Sequence, residues 1–90
     1  MTVKINIPHF LQHLAGNLDV AEVSGNTVGE CLDDFVRRFP QTEKLIFDKD
    51  GMVLKYIDVF VNGESTYPEE LAKPVSDGDE LSILLVAAGG

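Results

Sequence analysis

Polar and apolar residues alternate strictly at the start of the chain, where Val3, Ile5 and Ile7 are separated by Thr2, Lys4 and Asn6. Period-two alternation marks a strand with one face buried, and Pro8 closes it because proline has no N–H to give a strand ladder. The following "HFLQHLAGN" commits to neither period. A second short run around Val20 to Val23 is then placed to return antiparallel, with Gly16-Asn17 as the turn before it and Gly25-Asn26 closing it. Next the period changes. In "TVGECLDDFVRRFP" the residues Val28, Cys31, Leu32, Phe35, Val36 and Phe39 fall on one stripe at helical spacing. Thr27 followed by Glu30 suits a capping box, Arg37 and Arg38 suit a helix C-terminus, and Pro40 stops the helix.

Further on, "QTEKLIF" predicts one more short turn of helix and "DKDG" a reversal. The strand "YIDVFV" follows, with Ile57, Val59 and Val61 inward and Tyr56 and Phe60 on the other face. Asn62-Gly63 is a two-residue hairpin turn leading to a short strand, "ESTY". The segment "PEELAKPVSDGD" reads as a helical turn and loop, and "ELSILLV" as a last strand. Its alternation sets Leu81, Ile83 and Leu85 on one side and Ser82, Leu84 and Val86 on the other. Strand, strand, helix, strand, short strand, strand predicts an α+β fold: the β-grasp, or ubiquitin-like, arrangement, a mixed sheet of four to five strands covered by one main helix. In this reading residues 1–86 form one domain and residues 87–90 a flexible tail.

Composition narrows the classes. Ninety residues with 44% apolar and 24% charged content suit one ordinary globular core. No run approaches the roughly 20 apolar residues that span a bilayer, and "MTVKINIPHF" lacks the layout of a secretory signal, so a cytoplasmic setting is expected. The single cysteine, Cys31, rules out an internal disulfide and any multi-cysteine metal site. Fifteen acidic against seven basic residues, a net charge of −8, repel nucleic acid and anionic membranes, which leaves proteins with basic docking surfaces as the expected partners.

The chain then runs "LVAAGG". A chance glycine pair at two given positions occurs in about 0.5% of chains at average composition. The plain reading is a frayed end. The chemical reading is that glycine, lacking Cβ, fits a channel barely wider than the main chain and carries a carboxylate into another protein's active site. Ala87 and Ala88 keep the approach narrow, while Leu85 and Val86 anchor it. A carboxylate has a poor leaving group, so acyl chemistry there requires activation by attack on the α-phosphate of ATP.

These residues resemble the MoaD/ThiS-type sulfur carriers, the similarity running through "DVFVNGE" (Asp58 to Glu64), "PVSDGDELSILLVAAGG" (Pro74 to Gly90) and the helix "TVGECLDDFVRRFP". The resemblance implies that Gly90 is adenylated by a ubiquitin-activating-type enzyme and converted to a thiocarboxylate, with Gly89 as its slim neighbour. It implies a sulfur-accepting synthase as second partner, no bound cofactor, and a chain that is substrate rather than enzyme. Leu84-Leu85 departs from the proline many relatives place near the tail. The acceptor is molybdopterin or cysteine/homocysteine synthesis, and a ubiquitin-like modifier joined to target lysines is the rival.

Other candidates have plainer readings beside them. Cys31, with His9 or His13 as base, could be a nucleophile, but it lies on the helix's apolar stripe, where free cysteine is usually core. The two histidines, four residues apart, lack a third metal ligand. Asp77, Asp79 and Glu80, with Glu69 and Glu70, form an acidic patch near the tail that steers partners, or else a solvated turn. Phe60, Leu84 and Val86, turned away from the helix, form a partner-docking surface or are covered by loops.

Overall fold

The computed structural model describes residues 2–86. The expected tail, Ala87 to Gly90, lies outside the described residues. Strand β1 (Thr2–Asn6) is followed by a one-turn helix α1 (His9–Gln12), strand β2 (Val20–Ser24) and the main helix α2 (Val28–Arg38). A 3-10 turn, Pro40–Thr42, leads into the short helix α3 (Glu43–Ile46), then strands β3 (Ile57–Val61) and β4 (Glu64–Ser65). A second 3-10 turn, Glu70–Ala72, precedes the last strand, β5 (Glu80–Leu85).

The five strands form one mixed sheet in the order β2-β1-β5-β3-β4. β1 and β5, first and last in the chain, lie parallel at its centre, and the remaining pairs are antiparallel. This is the β-grasp arrangement predicted from the alternation of periods. The inward rows of β1, β2, β3 and β5 are sealed in one core with α2: Val3, Ile5, Ala21, Val23, Ile57, Val59, Leu81 and Ile83 are buried, as are Val28, Cys31, Leu32 and Phe35 from the helix. Cys31 is fully buried, and burial, with the Glu30 charge adding to it, pushes its thiol pKa up, so it is a core side chain and not an activated nucleophile.

Local rules explain how the elements start and stop. Thr27 caps α2, its Oγ1 accepting from the Glu30 N–H at 3.1 Å. The Glu30 carboxylate reaches back one residue beyond the cap, accepting from the Asn26 N–H at 2.8 Å, so the capping box is closed on the loop and not on the cap itself. Gly25 sits where that loop presses on the helix: a Cβ there would lie 2.8 Å from the Cys31 backbone nitrogen and 2.9 Å from the Glu30 Cβ. At the hairpin, Asn62 and Gly63 both adopt left-handed backbone, φ 51° and 86°, as a two-residue turn between twisted strands demands. β4 is shorter than "ESTY" suggested, since only Glu64 and Ser65 pair with β3. The stretch before β2, uncommitted in the sequence, holds α1 and a turn through Gly16 and Asn17, both at positive φ.

One inward assignment does not hold. Leu85 shares its side of the sheet with Leu81 and Ile83, but it is 59% exposed while those two are sealed. Pairing between β1 and β5 ends at Asn6 and Ser82, so the last three residues of β5 run on beside β3 alone. Nothing from β1 flanks Leu85, and the core has ended.

Candidate functional site at the free end of β5

The central strand β5 extends past β1 and runs on beside β3 to its end. Ile57 faces Leu85 and Asp58 faces Leu84 across the β3–β5 ladder, and the Val86 N–H donates to the Tyr56 carbonyl at 2.8 Å. That last bond ties the root of the tail to β3, so Val86 does anchor it as the sequence suggested. Leu84, Leu85 and Val86 are nonetheless exposed, and so are Tyr56 and Tyr67. These are five of the eight exposed large apolar or aromatic residues among those described, gathered where the tail leaves the fold. Scattered apolar exposure is ordinary, whereas a contiguous cluster marks a contact surface.

Beside Val86 opens a cleft of about 310 Å³ lined by Leu54, Lys55, Ile57, Asp58, Tyr67, Glu70 and Val86. The backbone of Tyr67 is tethered by a short relay. Ser65 Oγ accepts from the Tyr67 N–H at 3.2 Å and donates to the Asp58 carboxylate at 3.2 Å and 3.3 Å. A larger groove of about 480 Å³ lies on the lobe between α3 and β3, lined by Glu43, Lys44, Phe47, Asp48, Lys49 and Leu54. Its two lysines are balanced by two carboxylates, so it favours neither sign of charge.

The docking residues predicted from sequence divide. Phe60 and Leu84 do share the face opposite α2, Phe60 standing between Ser82 and Ser65 in the register and Leu84 opposite Asp58. Phe60 is only half-buried, and Leu84 and Val86 are open to solvent. Asp77 and Asp79 are elsewhere. They precede Glu80, the first residue of β5, whereas the tail leaves the last, about 17 Å away by strand rise. The acidic patch therefore does not lie near the tail as expected.

Both carboxylates have structural tasks there. Asp77 accepts from the Thr2 N–H at 2.9 Å, while Asp79 accepts from the Ser76 N–H at 2.8 Å and from Asn62 Nδ2 at 3.0 Å. Those two hydrogen bonds, the backbone one first, lower the Asp79 pKa. Of the acids grouped with them, only Glu70 reaches the cleft beside Val86. Five of the seven basic residues fall within residues 37–55, against three acids, so ten net negative charges remain for the rest, the sheet and its tail end included.

Sequence reasoning missed Tyr67, Leu54 and the exposure of Leu85. Tyr67 follows a two-residue strand and Leu54 an irregular loop, so neither belongs to a period that could have placed it. Among the described residues no three His, Cys, Asp or Glu side chains are grouped to hold a metal ion. None of the described helices is long and apolar enough to cross a membrane.

A five-stranded mixed sheet of this order packed on one main helix, with an apolar collar at the end of its last strand, defines the class of ubiquitin-like, β-grasp proteins. Residues 5–90 match the model of the ThiS family, and the chain belongs to that family. The sulfur carrier protein CysO of Mycobacterium tuberculosis is 28% identical over 93 residues, covering all of both chains. Among solved structures, that of the Amycolatopsis orientalis BexX/CysO complex superimposes with a TM-score of 0.85 at 35% identity, covering 98% of this chain and 99% of that one. SAMP1 from Haloferax volcanii gives 0.85 at 29% identity with full coverage of both. The homologues of this chain thus include sulfur carrier proteins, one of them crystallised in complex with another protein.

Proposed function

We propose that this protein is a sulfur carrier whose reactive group is the Gly90 carboxylate. A ubiquitin-activating-type enzyme uses ATP: the carboxylate attacks the α-phosphate, pyrophosphate leaves, and an acyl-adenylate forms. Hydrosulfide then displaces AMP and leaves a thiocarboxylate, whose sulfur a synthase takes up in molybdopterin or cysteine/homocysteine synthesis. The chain is substrate throughout, and Gly89, Ala88 and Ala87 keep the path to Gly90 slim. ATP belongs to the partner's site.

The observation that carries this reading is the run of β5 past β1 to an exposed apolar end at Leu84, Leu85 and Val86. Full-length similarity to a sulfur carrier supports it. Phe60, Leu84 and Val86 dock the partner, and Asp77 and Asp79, remote from the tail, contribute long-range attraction to a basic enzyme. The test is intact mass after incubation with the activating enzyme, ATP and sulfide. Exchange of one oxygen for one sulfur at the C-terminal residue is expected, and a chain that stays unmodified while the same enzyme loads its own carrier overturns the reading.

Similarity to SAMP1, a protein also described as small archaeal modifier protein 1, favours a second reading, conjugation of Gly90 to target lysines. Isopeptide-linked adducts in cells, absent when Gly90 is deleted, distinguish it.

A further inference from the structure

Resting on the reading of Gly90 as the reacting residue, the geometry points to a specific contact that the reaction requires of the activating enzyme. Four residues separate Val86 from the end of Gly90, and a fully extended chain of four residues spans at most about 14 Å. An active site that reaches the Gly90 carboxylate from outside therefore brings its own surface within that distance of Val86. The surface it meets is the collar of Tyr56, Tyr67, Leu84 and Leu85, and within it the cleft between Tyr67 and Val86.

We propose that this cleft receives one apolar or aromatic side chain from the rim of the activating enzyme's tail channel, and that Tyr67 is the specificity-determining residue of that contact. The cleft has the anatomy of a binding hot spot. Its lining joins the apolar Leu54, Ile57 and Val86 to the polar Lys55, Asp58 and Glu70. Tyrosine supplies large contact area with few rotatable bonds, which is why it concentrates where binding energy does.

At 75% exposure Tyr67 adds little to the fold, although its backbone is tethered through Ser65 to Asp58. Asp58 opens the "DVFVNGE" segment and is a positioning residue: its carboxylate holds Ser65 Oγ, which in turn holds the Tyr67 N–H. With the collar docked, the channel mouth is within reach of Gly90.

The experiment is steady-state adenylation, followed by ATP–pyrophosphate exchange, with the activating enzyme of the same organism and this protein as variable substrate. Tyr67→Ala is expected to raise KM by about tenfold, one hot-spot contact, with kcat within about twofold and the melting temperature unchanged. Tyr67→Phe, which keeps the ring, stays near wild type. Asp58→Ala raises KM by a smaller factor and Asp58→Asn, still able to accept from Ser65, restores it. A Tyr67→Ala protein adenylated with wild-type KM overturns the contact and leaves the chemistry of Gly90 standing. A wild-type protein that supports no exchange overturns both.

Discussion

Leu81 and Leu85 belong to one strand and point to the same side of it, but the first is sealed in the core and the second is open to water. The difference lies in their neighbours. Leu81 is flanked by Ile5 of β1 and Val61 of β3, whereas Leu85 has Ile57 on one side and no strand on the other. Alternation alone does not set burial: Leu85 keeps the phase of Leu81 and Ile83 but lies at the end of the strand, past the last sealed residue, Ile83. The two ends of β5 therefore answer to different demands: one fixes the fold, the other presents a surface.

Three predictions sharpen that contrast. The largest effect is expected beyond the free end. Gly89→Val puts a branched side chain beside the carboxyl proposed to react, and kcat/KM for adenylation should fall about 10²-fold, the scale of a misplaced reacting group, with an unchanged melting curve. Wild-type exchange rates for this variant would show that slimness near Gly90 has no catalytic consequence.

Next come the two leucines. Leu81→Ala, which leaves a cavity in the core, should cost about 2–5 kcal/mol in urea denaturation. Leu85→Ala should cost under about 0.5 kcal/mol, as at other exposed sites. Equal losses would mean that the core extends to the end of β5.

The smallest effect concerns the start of the strand. The Asp79 pKa is lowered in the folded state, so its contribution is present above the carboxylate's ordinary pKa and is lost as pH falls through the folded value. Melting temperature measured on the acid side should therefore decline less steeply for Asp79→Asn than for wild type. Parallel pH profiles would remove this role.

The fold was largely legible because its signals are periodic. Alternation at Val3, Ile5 and Ile7, the helical stripe from Val28 to Phe35, and Asn62-Gly63 each dictate a local geometry that tertiary packing then preserved. The order of those elements implied the sheet. The candidate site was legible only in part. "LVAAGG" and Leu84 and Val86 drew attention to one end of β5, but the cleft beside them also takes in Leu54, from the segment before β3, and Tyr67 and Glu70, from the connection between β4 and β5. No spacing rule links residues brought together by a turn. The acids at 77 and 79 misled for a related reason: six strand residues are close in sequence and about 17 Å long in space.

Two kinds of glycine now stand apart in this chain. Gly25 is fixed by crowding, because a methyl group there would strike the backbone of Cys31 and pry the loop from the helix. Gly89, on the function proposed above, answers to a pocket in another molecule. A library scored for soluble expression should tolerate every residue at position 89 and almost none at 25, while the same library scored for sulfur delivery should reject changes at both, so that subtracting one map from the other isolates the handover surface.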